Sequence, residues 1–346
     1  MTIHSIARRG FLAGGAASFG ALSFGSGAFA QAKGLPIRVA NAAGNVNLAM
    51  HQLMIQQGYL QEFGLDPNVI TVADGAKIVG GLVGGDLDIS TMSGFGQIFP
   101  ADEKGGKMKI LGGAALLPSL ALFTSKPNIR TLKDLEGKVV GSGAVGSLVH
   151  QLSVALLMKK GVDYKKVQFA NIGASGDVFR AVTVGTVDAG VGEVSFVDQQ
   201  EKFKVRLLPE ANMSIELPEY TYQGAYTTEK AIETKRDLLV RTMAAYAKLY
   251  RFVHKPEAKE AFFRARAETA KNATVEENEQ QWAYLQKYKP YAENLELSEE
   301  RIRYMQQLNV ELGVQKAILP FSQVADMSIA RDAIKLLGGP SQGARN

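Results

Sequence analysis

The chain has 346 residues, 46% of them hydrophobic and 21% charged, with a formal net charge of +5 and no cysteine. That length and balance describe two ordinary folded domains rather than a disordered or fibrous protein. The missing cysteines exclude disulfides, thiolate metal sites and cysteine nucleophiles, and so weak a positive charge gives no ground for a nucleic-acid or membrane partner.

In chain order the first element is a leader. Arg8 and Arg9 precede a Gly/Ala-rich apolar run that ends in Ala28-Phe29-Ala30, an A-x-A cleavage pattern. Arg-Arg-Gly-Phe-Leu resembles the twin-arginine export signal, so 1–30 is expected to be a cleaved leader and the mature chain, at +3 without its two arginines, a soluble periplasmic protein. The alternatives are an ordinary secretory signal and an uncleaved anchor.

"LPIRVANAAG" at 35–44 reads as a strand that delivers a loop of small residues, and Leu48, Leu53, Met54 and Tyr59 fall near helical spacing after it. "VITVA" at 69–73 reads as a strand, Gly75–Gly84 as a helix and "LDIST" as a third strand. A second unit repeats this grammar. The strand at 138–141 leads through "GSGAVGS" into a helix with Leu148, Leu152 and Leu156 on one face; then come a strand in "KVQFANIG", a helix at 176–184 and a strand at 187–191. Strands alternating with helices of this length imply an α/β sheet in each unit. "GLVGGDLDIS" at 81–90 and "AVTVGTVDAG" at 181–190 echo one another: a helix stops at a glycine, and an aspartate, Asp88 or Asp188, opens an apolar strand. From about 229 the pattern turns to amphipathic helices, with Leu239, Met243, Tyr246 and Tyr250 on one face and Thr274 with Glu277 as a capping box.

Two facing α/β lobes enclose a cleft lined by the loops at the C-terminal ends of their strands. Within "GSGAVGS", the free N–H groups of a helix starting near Gly146, with Ser147 in its first turn and Ala144 before it, suit a carboxylate or sulfonate. The alternative is a glycine-rich turn capped by Ser142 or Ser147. No Gly-Lys-Ser/Thr follows, so this is not a Walker phosphate loop. Gly44 and Asn45 end the first strand; Ser175 follows "VQFAN" and reads equally as a helix N-cap. His51, His150 and His254 lack zinc-helix spacing, and no acid/base pair or nucleophile emerges; no metal, cofactor or catalytic residue is expected.

"QGYLQEFGLDPNVITVADGAKIVGGLVGGDLDIS", "TLKDLEGKVVG" and "LLMKKGVDYKKVQFANIG", in this order, resemble the periplasmic substrate-binding proteins of ABC importers of the nitrate/sulfonate/taurine, THI5-like class. The resemblance runs from about 35 to 200. It implies a type II periplasmic-binding-protein fold: two α/β lobes joined by a hinge with a helical C-terminal tail, the chain crossing near 121–125 and returning near 220–226. Lobe I is then 35–122 plus 223–340, and lobe II is 123–222. It implies ligand contacts from the loop after the third strand, where Ser93 donates, Gly94 lets a ligand approach and Phe95 either stacks or is ordinary core. Tyr220, Tyr222 and Tyr226 fall at the return crossing, where one of them, Tyr222 first, sandwiches a ring or packs the hinge. Glu193 departs from the family, whose sulfonate-binding members often carry an aromatic residue there. It is either a cleft carboxylate that accepts from an amine, amide or ring N–H, or a surface residue at a helix start. The function implied is a monomeric receptor that captures a small molecule, a sulfonate or carboxylate first and a pyrimidine-like heteroaromatic second, for an inner-membrane permease and ATPase. Rival readings are a sensor or TRAP-type carrier of the same fold, and a pyrimidine-forming synthase, which the absence of cysteine opposes.

Overall fold

The computed structural model describes residues 34–72 and 75–344, so the proposed leader at 1–30 lies outside the described residues. The strands are β1 (Leu35–Ala42), β2 (Leu65–Val72), β3 (Ile89–Ser93), β4 (Met108–Gly113), β5 (Leu120–Thr124), β6 (Val139–Ser142), β7 (Gln168–Asn171), β8 (Ala189–Glu193), β9 (Arg206–Asn212) and β10 (Gly224–Thr228). They form two five-stranded sheets of matching order, β2-β1-β3-β10-β4 and β7-β6-β8-β5-β9. In each, the first three strands are parallel and the fourth runs antiparallel to both its neighbours. All five residues of β3 and all five of β5 are buried, because helices cover both faces of each sheet and no side of these strands meets water.

The chain leaves the first sheet after Gly113 and enters the second at Leu120, so the first crossing lies at 114–119 and not at 121–125. Residues 120–122 therefore belong to the second lobe. Leu120–Thr124 pairs with β8 and β9, and the break in the apolar run comes at Pro118, which has no N–H to offer a sheet. The return spans 213–223, and β10 completes the first sheet.

The echoing aspartates are the same device used twice. Asp88 opens β3, where its N–H donates to the Arg38 carbonyl (2.9 Å) and its carboxylate accepts the Arg38 N–H (2.8 Å). Asp188 opens β8, where its N–H donates to Val139 O (2.8 Å) and its carboxylate accepts Val139 N–H (2.9 Å). Each carboxylate thus closes the first rung between two parallel strands, where a strand-opening donor lacks a backbone partner. Asp88 carries more: the Arg38 guanidinium at 2.8 and 3.1 Å and Lys235 Nζ at 2.5 Å.

The C-terminal helices pack mainly on the first lobe. The helix Glu229–Val253 begins where the amphipathic pattern does, and its helical geometry breaks at Lys235 (φ −135°), the residue that reaches Asp88. Its stripe, Leu239, Met243, Tyr246 and Tyr250, is buried in one cluster with Ile37, Val39 and Leu53. Thr274 and Glu277 make the expected capping box at the start of the helix Val275–Tyr288. Among the described residues no helix is long and apolar enough to cross a membrane.

Candidate functional site

A cavity of about 470 Å³ opens between the two sheets at the C-terminal ends of their parallel strands, a size suited to a small organic molecule. The first lobe contributes the segment after β1 and the turn after β3; the second contributes the loops after β6 and β7 and the end of β8. The crossing segments supply Ser119 and Tyr222, and the helix Val275–Tyr288 supplies Gln281 and Tyr284.

Asn45, Ser93, Gly94, Ala144, Gly146, Ser147, Ser175, Glu193 and Tyr222 all lie in the cavity wall. Phe95 does not: its ring is fully buried, edge-on to Phe99 and against Gly224, where an added Cβ would lie 2.9 Å from it. Its core alternative is the one the structure shows, because the turn after β3 points Phe95 into the lobe while Gly94 and Gly96 face out.

Several wall hydroxyls have partners within the protein. Ser93 Oγ donates to Tyr226 Oη at 3.1 Å and lies 2.7 Å from Ser90 Oγ. Ser147 is the N-cap of the helix Leu148–Lys159 and accepts from His150 N–H, leaving the N–H groups of Leu148 and Val149 in the first turn at the wall. Gly146 takes the left-handed conformation (φ 78°) that turns the chain into this helix, and its N–H donates to His150 Nδ1 at 3.3 Å. Ser175 is the first residue of its helix and Ala174 the N-cap, so the capping expected of Ser175 falls to a residue with no side-chain acceptor.

The two lobes meet along the wall. A Cβ added at Gly94 would sit 3.3 Å from Leu148 Cβ, and one at Gly96 would sit 2.5 Å from Gln151 Nε2, so a side chain at either position presses on the other lobe. Gln151, from the second lobe, donates to Asn309 Oδ1 and accepts from Tyr220 Oη at 3.1 Å, and Asn309 Nδ2 donates to Gly96 O at 2.6 Å. Sequence reasoning missed Gln151 and also Asn47, whose Nδ2 ties Ala42 O to Met92 O at 3.1 and 3.0 Å and whose Oδ1 accepts from Gln223 at 3.2 Å. Two asparagines within three residues of a strand end was the signal available for Asn47; Gln151 carried none.

Glu193 ends β8, and burial pushes its carboxyl up from its ordinary value while Arg266 draws it back down. Burial likewise pushes the Tyr222 phenol up to about 12, against a hydrogen bond with Ser119. Both groups face a cavity in which charge is poorly solvated. Among the described residues no histidine lines the cavity: His51 bonds Tyr246 Oη (2.8 Å), His254 bonds Glu293 (2.7 Å), and His150, which accepts the Gly146 N–H from behind the wall, packs edge-on against Phe169. Among the described residues no group of three or more His, Asp or Glu side chains could hold a metal ion.

Comparison with solved structures shows which fold this is. The chain is similar to the sulfonate-binding protein SsuA from Methylobacillus flagellatus KT (16% identity, TM-score 0.67, covering 91% of this chain and 99% of that one). It is similar to the alkanesulfonate-binding protein SsuA from Xanthomonas axonopodis pv. citri bound to MOPS (17%, 0.68, 86% and 98%). It is also similar to the desulfurization enzyme DSZB (13%, 0.63, 88% and 99%). Identities this low establish the two-lobed periplasmic-binding-protein fold and nothing finer. No curated protein matches the chain in sequence. The family model described as NMT1/THI5 like matches residues 45–259, from the first cavity loop into the C-terminal helices, and the chain belongs to that family.

Proposed function

We propose that this protein is a solute-binding receptor of the periplasm, exported through its twin-arginine leader, that closes its lobes over a small organic molecule and delivers it to the permease and ATPase of an ABC importer. The observation behind this is a cavity whose wall is drawn from both sheets and both crossings, so that a ligand bridges the lobes only when they are together. Ligand binding energy then biases the hinge, and the closed form is what a permease reads.

The comparisons include an enzyme as well as binding proteins, and the wall chemistry favours binding. Ser93 donates to Tyr226 and Ser147 accepts at the helix cap, and among the described residues no histidine lies in the wall to activate either. A nucleophile needs a base within hydrogen-bond reach, and neither serine has one there.

The test is a pair of measurements on the purified full-length protein with a solute panel: small-angle scattering for closure, and mass spectrometry of the solute released by unfolding. A saturable fall in radius of gyration with the solute recovered unchanged supports the receptor. Conversion of a bound solute to product refutes it in favour of an enzyme.

A further inference from the structure

Charge in the cavity wall is sparse and of one sign. Asp177 and Glu193 are its carboxylates, and among the described residues the wall holds no lysine, arginine or histidine. Asp177 lies at the mouth, about half exposed and paired with Arg180 one turn along its own helix, so its charge is already answered. Glu193 is the inner charge.

Its surroundings are built from three parts of the chain. The β8 backbone at Glu193 pairs with Leu120, and Ser119 of the first crossing and Tyr222 of the return crossing line the same cavity. Behind the wall is Arg266, on the helix Lys259–Thr269. It is only 3% exposed; Nε donates to Asn278 Oδ1 at 2.6 Å, while Nη1 has no hydrogen-bond partner. A guanidinium buried so deeply with an unused donor is tolerated only when opposite charge stands near it. Two carboxylates do so, Glu193 and Glu277, and Glu277 is already bridged to Lys202 at 3.0 Å. Glu193 is therefore the counter-charge without a cationic partner of its own. The remaining polar wall groups, such as Asn45, Gln97, Ser119 and Gln281, are amides and hydroxyls, which serve donors and acceptors alike. The sign of the ligand is left to Glu193.

We propose that Glu193 is the specificity-determining residue of the cavity, accepting an amine, amidine, amide or ring N–H from a solute with no fixed negative charge. The proposal rests on the receptor reading and narrows it. An anionic solute meets the Glu193 charge in a poorly screened cavity and has only N–H groups and hydroxyls to offset it, whereas an N–H donor gains a charge-assisted hydrogen bond.

The test uses four probes that share one ring and differ only in head group: benzamidine, benzamide, benzoate and benzenesulfonate, titrated into the full-length protein by ligand-observed NMR. Benzamidine and benzamide are expected to bind at least tenfold tighter than the two anions. Glu193→Gln should cost benzamidine at least tenfold while leaving benzamide within threefold. If Glu193→Gln does not fold by circular dichroism, Glu193→Asp is read instead, and its displaced carboxylate should shift the same ratio. Tighter binding of either anion to the wild type, or a head-group preference indifferent to residue 193, overturns this assignment and leaves the receptor standing. Failure of all four probes to bind overturns this assignment, while the receptor reading stands or falls by the solute panel.

Discussion

The two echoing aspartates make a paired stability experiment, because one structural device occurs with and without extra cations. Asp88 is 4% exposed, and its carboxylate accepts the Arg38 N–H, two Arg38 guanidinium bonds and Lys235 Nζ. Burial pushes this carboxyl up, but the bonds from Arg38 and Lys235 outweigh it and hold the group at about 2 against an ordinary 3.8. Held there, the ionised form is worth about 2 kcal/mol to the native state at neutral pH, lost as pH falls from 3.8 through 2. Asp88→Asn removes that and turns an amide donor toward existing donors, so the expected loss is about 3 kcal/mol. Asp188 accepts the Val139 N–H at 2.9 Å, with no cationic side chain bonded to it, and Asp188→Asn should cost about 1 kcal/mol. Urea unfolding at pH 7 of both variants and the wild type gives the two losses directly. Equal losses, or a loss below about 0.5 kcal/mol for Asp88→Asn, would refute the claim that the cations rather than the shared rung set the difference.

Two further outcomes are expected. His51 is buried against Tyr246, and desolvation lowers its imidazole to about 4. Its native state excludes the proton that the unfolded chain takes up below 6.5, so stability falls by up to about 3 kcal/mol between pH 6.5 and 4. Asp102, raised to about 6 by burial, acts in the opposite sense between 3.8 and 6, so the His51 contribution is read as the difference between the wild type and His51→Gln in urea unfolding at pH 7 and 4.5. Gly94→Val should weaken solute binding about tenfold or more while changing the urea midpoint little, because the added methyls meet Leu148 of the other lobe only when the lobes are together; unchanged binding by calorimetry would show that the turn yields.

The fold was legible because both signals that define it are local. Helix-to-strand steps at 81–90 and 181–190 and the capping box at Thr274 are set by neighbours a few residues apart, and the structure has them where the sequence puts them. The first crossing was misplaced by several residues because "SLALFTS" is one apolar run, and only pairing with β8 and β9 assigns it to the second sheet. The cavity was half legible. Loops after strand ends are predictable as wall, but the direction of a side chain within such a loop is not, which is why Gly94 faces the cavity and Phe95, next to it, the core. Gln151 and Arg266 act from helix interiors, where a polar residue carries no mark of whether it meets solvent, a partner lobe or a buried carboxylate. Asn309 and Asn278, which hold them, are 158 and 12 residues away in sequence.

Polar contacts tie the lobes at both flanks, beside an apolar cluster that includes Phe95 and Ile98 of the first lobe and Leu152 and Leu156 of the second. Gln151–Asn309 and Tyr164 Oη to Glu311 O (3.2 Å) close one flank, and Gln199–Gln280 (2.7 Å) and Lys202–Glu277 (3.0 Å) close the other. At about 0.5–1 kcal/mol each, four such contacts contribute about 2–4 kcal/mol, less than the 8 kcal/mol or so that a micromolar ligand supplies. Each flank contact is therefore a small part of what closes the lobes. Lys202→Ala tests this from the flank. It removes a bond made only between lobes, from a lysine about half exposed, so the expected weakening of solute binding is two- to fivefold, and the difference from wild type should shrink as salt rises. A hundredfold loss would mean that this single half-exposed ion pair dominates closure, against the small worth such a pair has elsewhere.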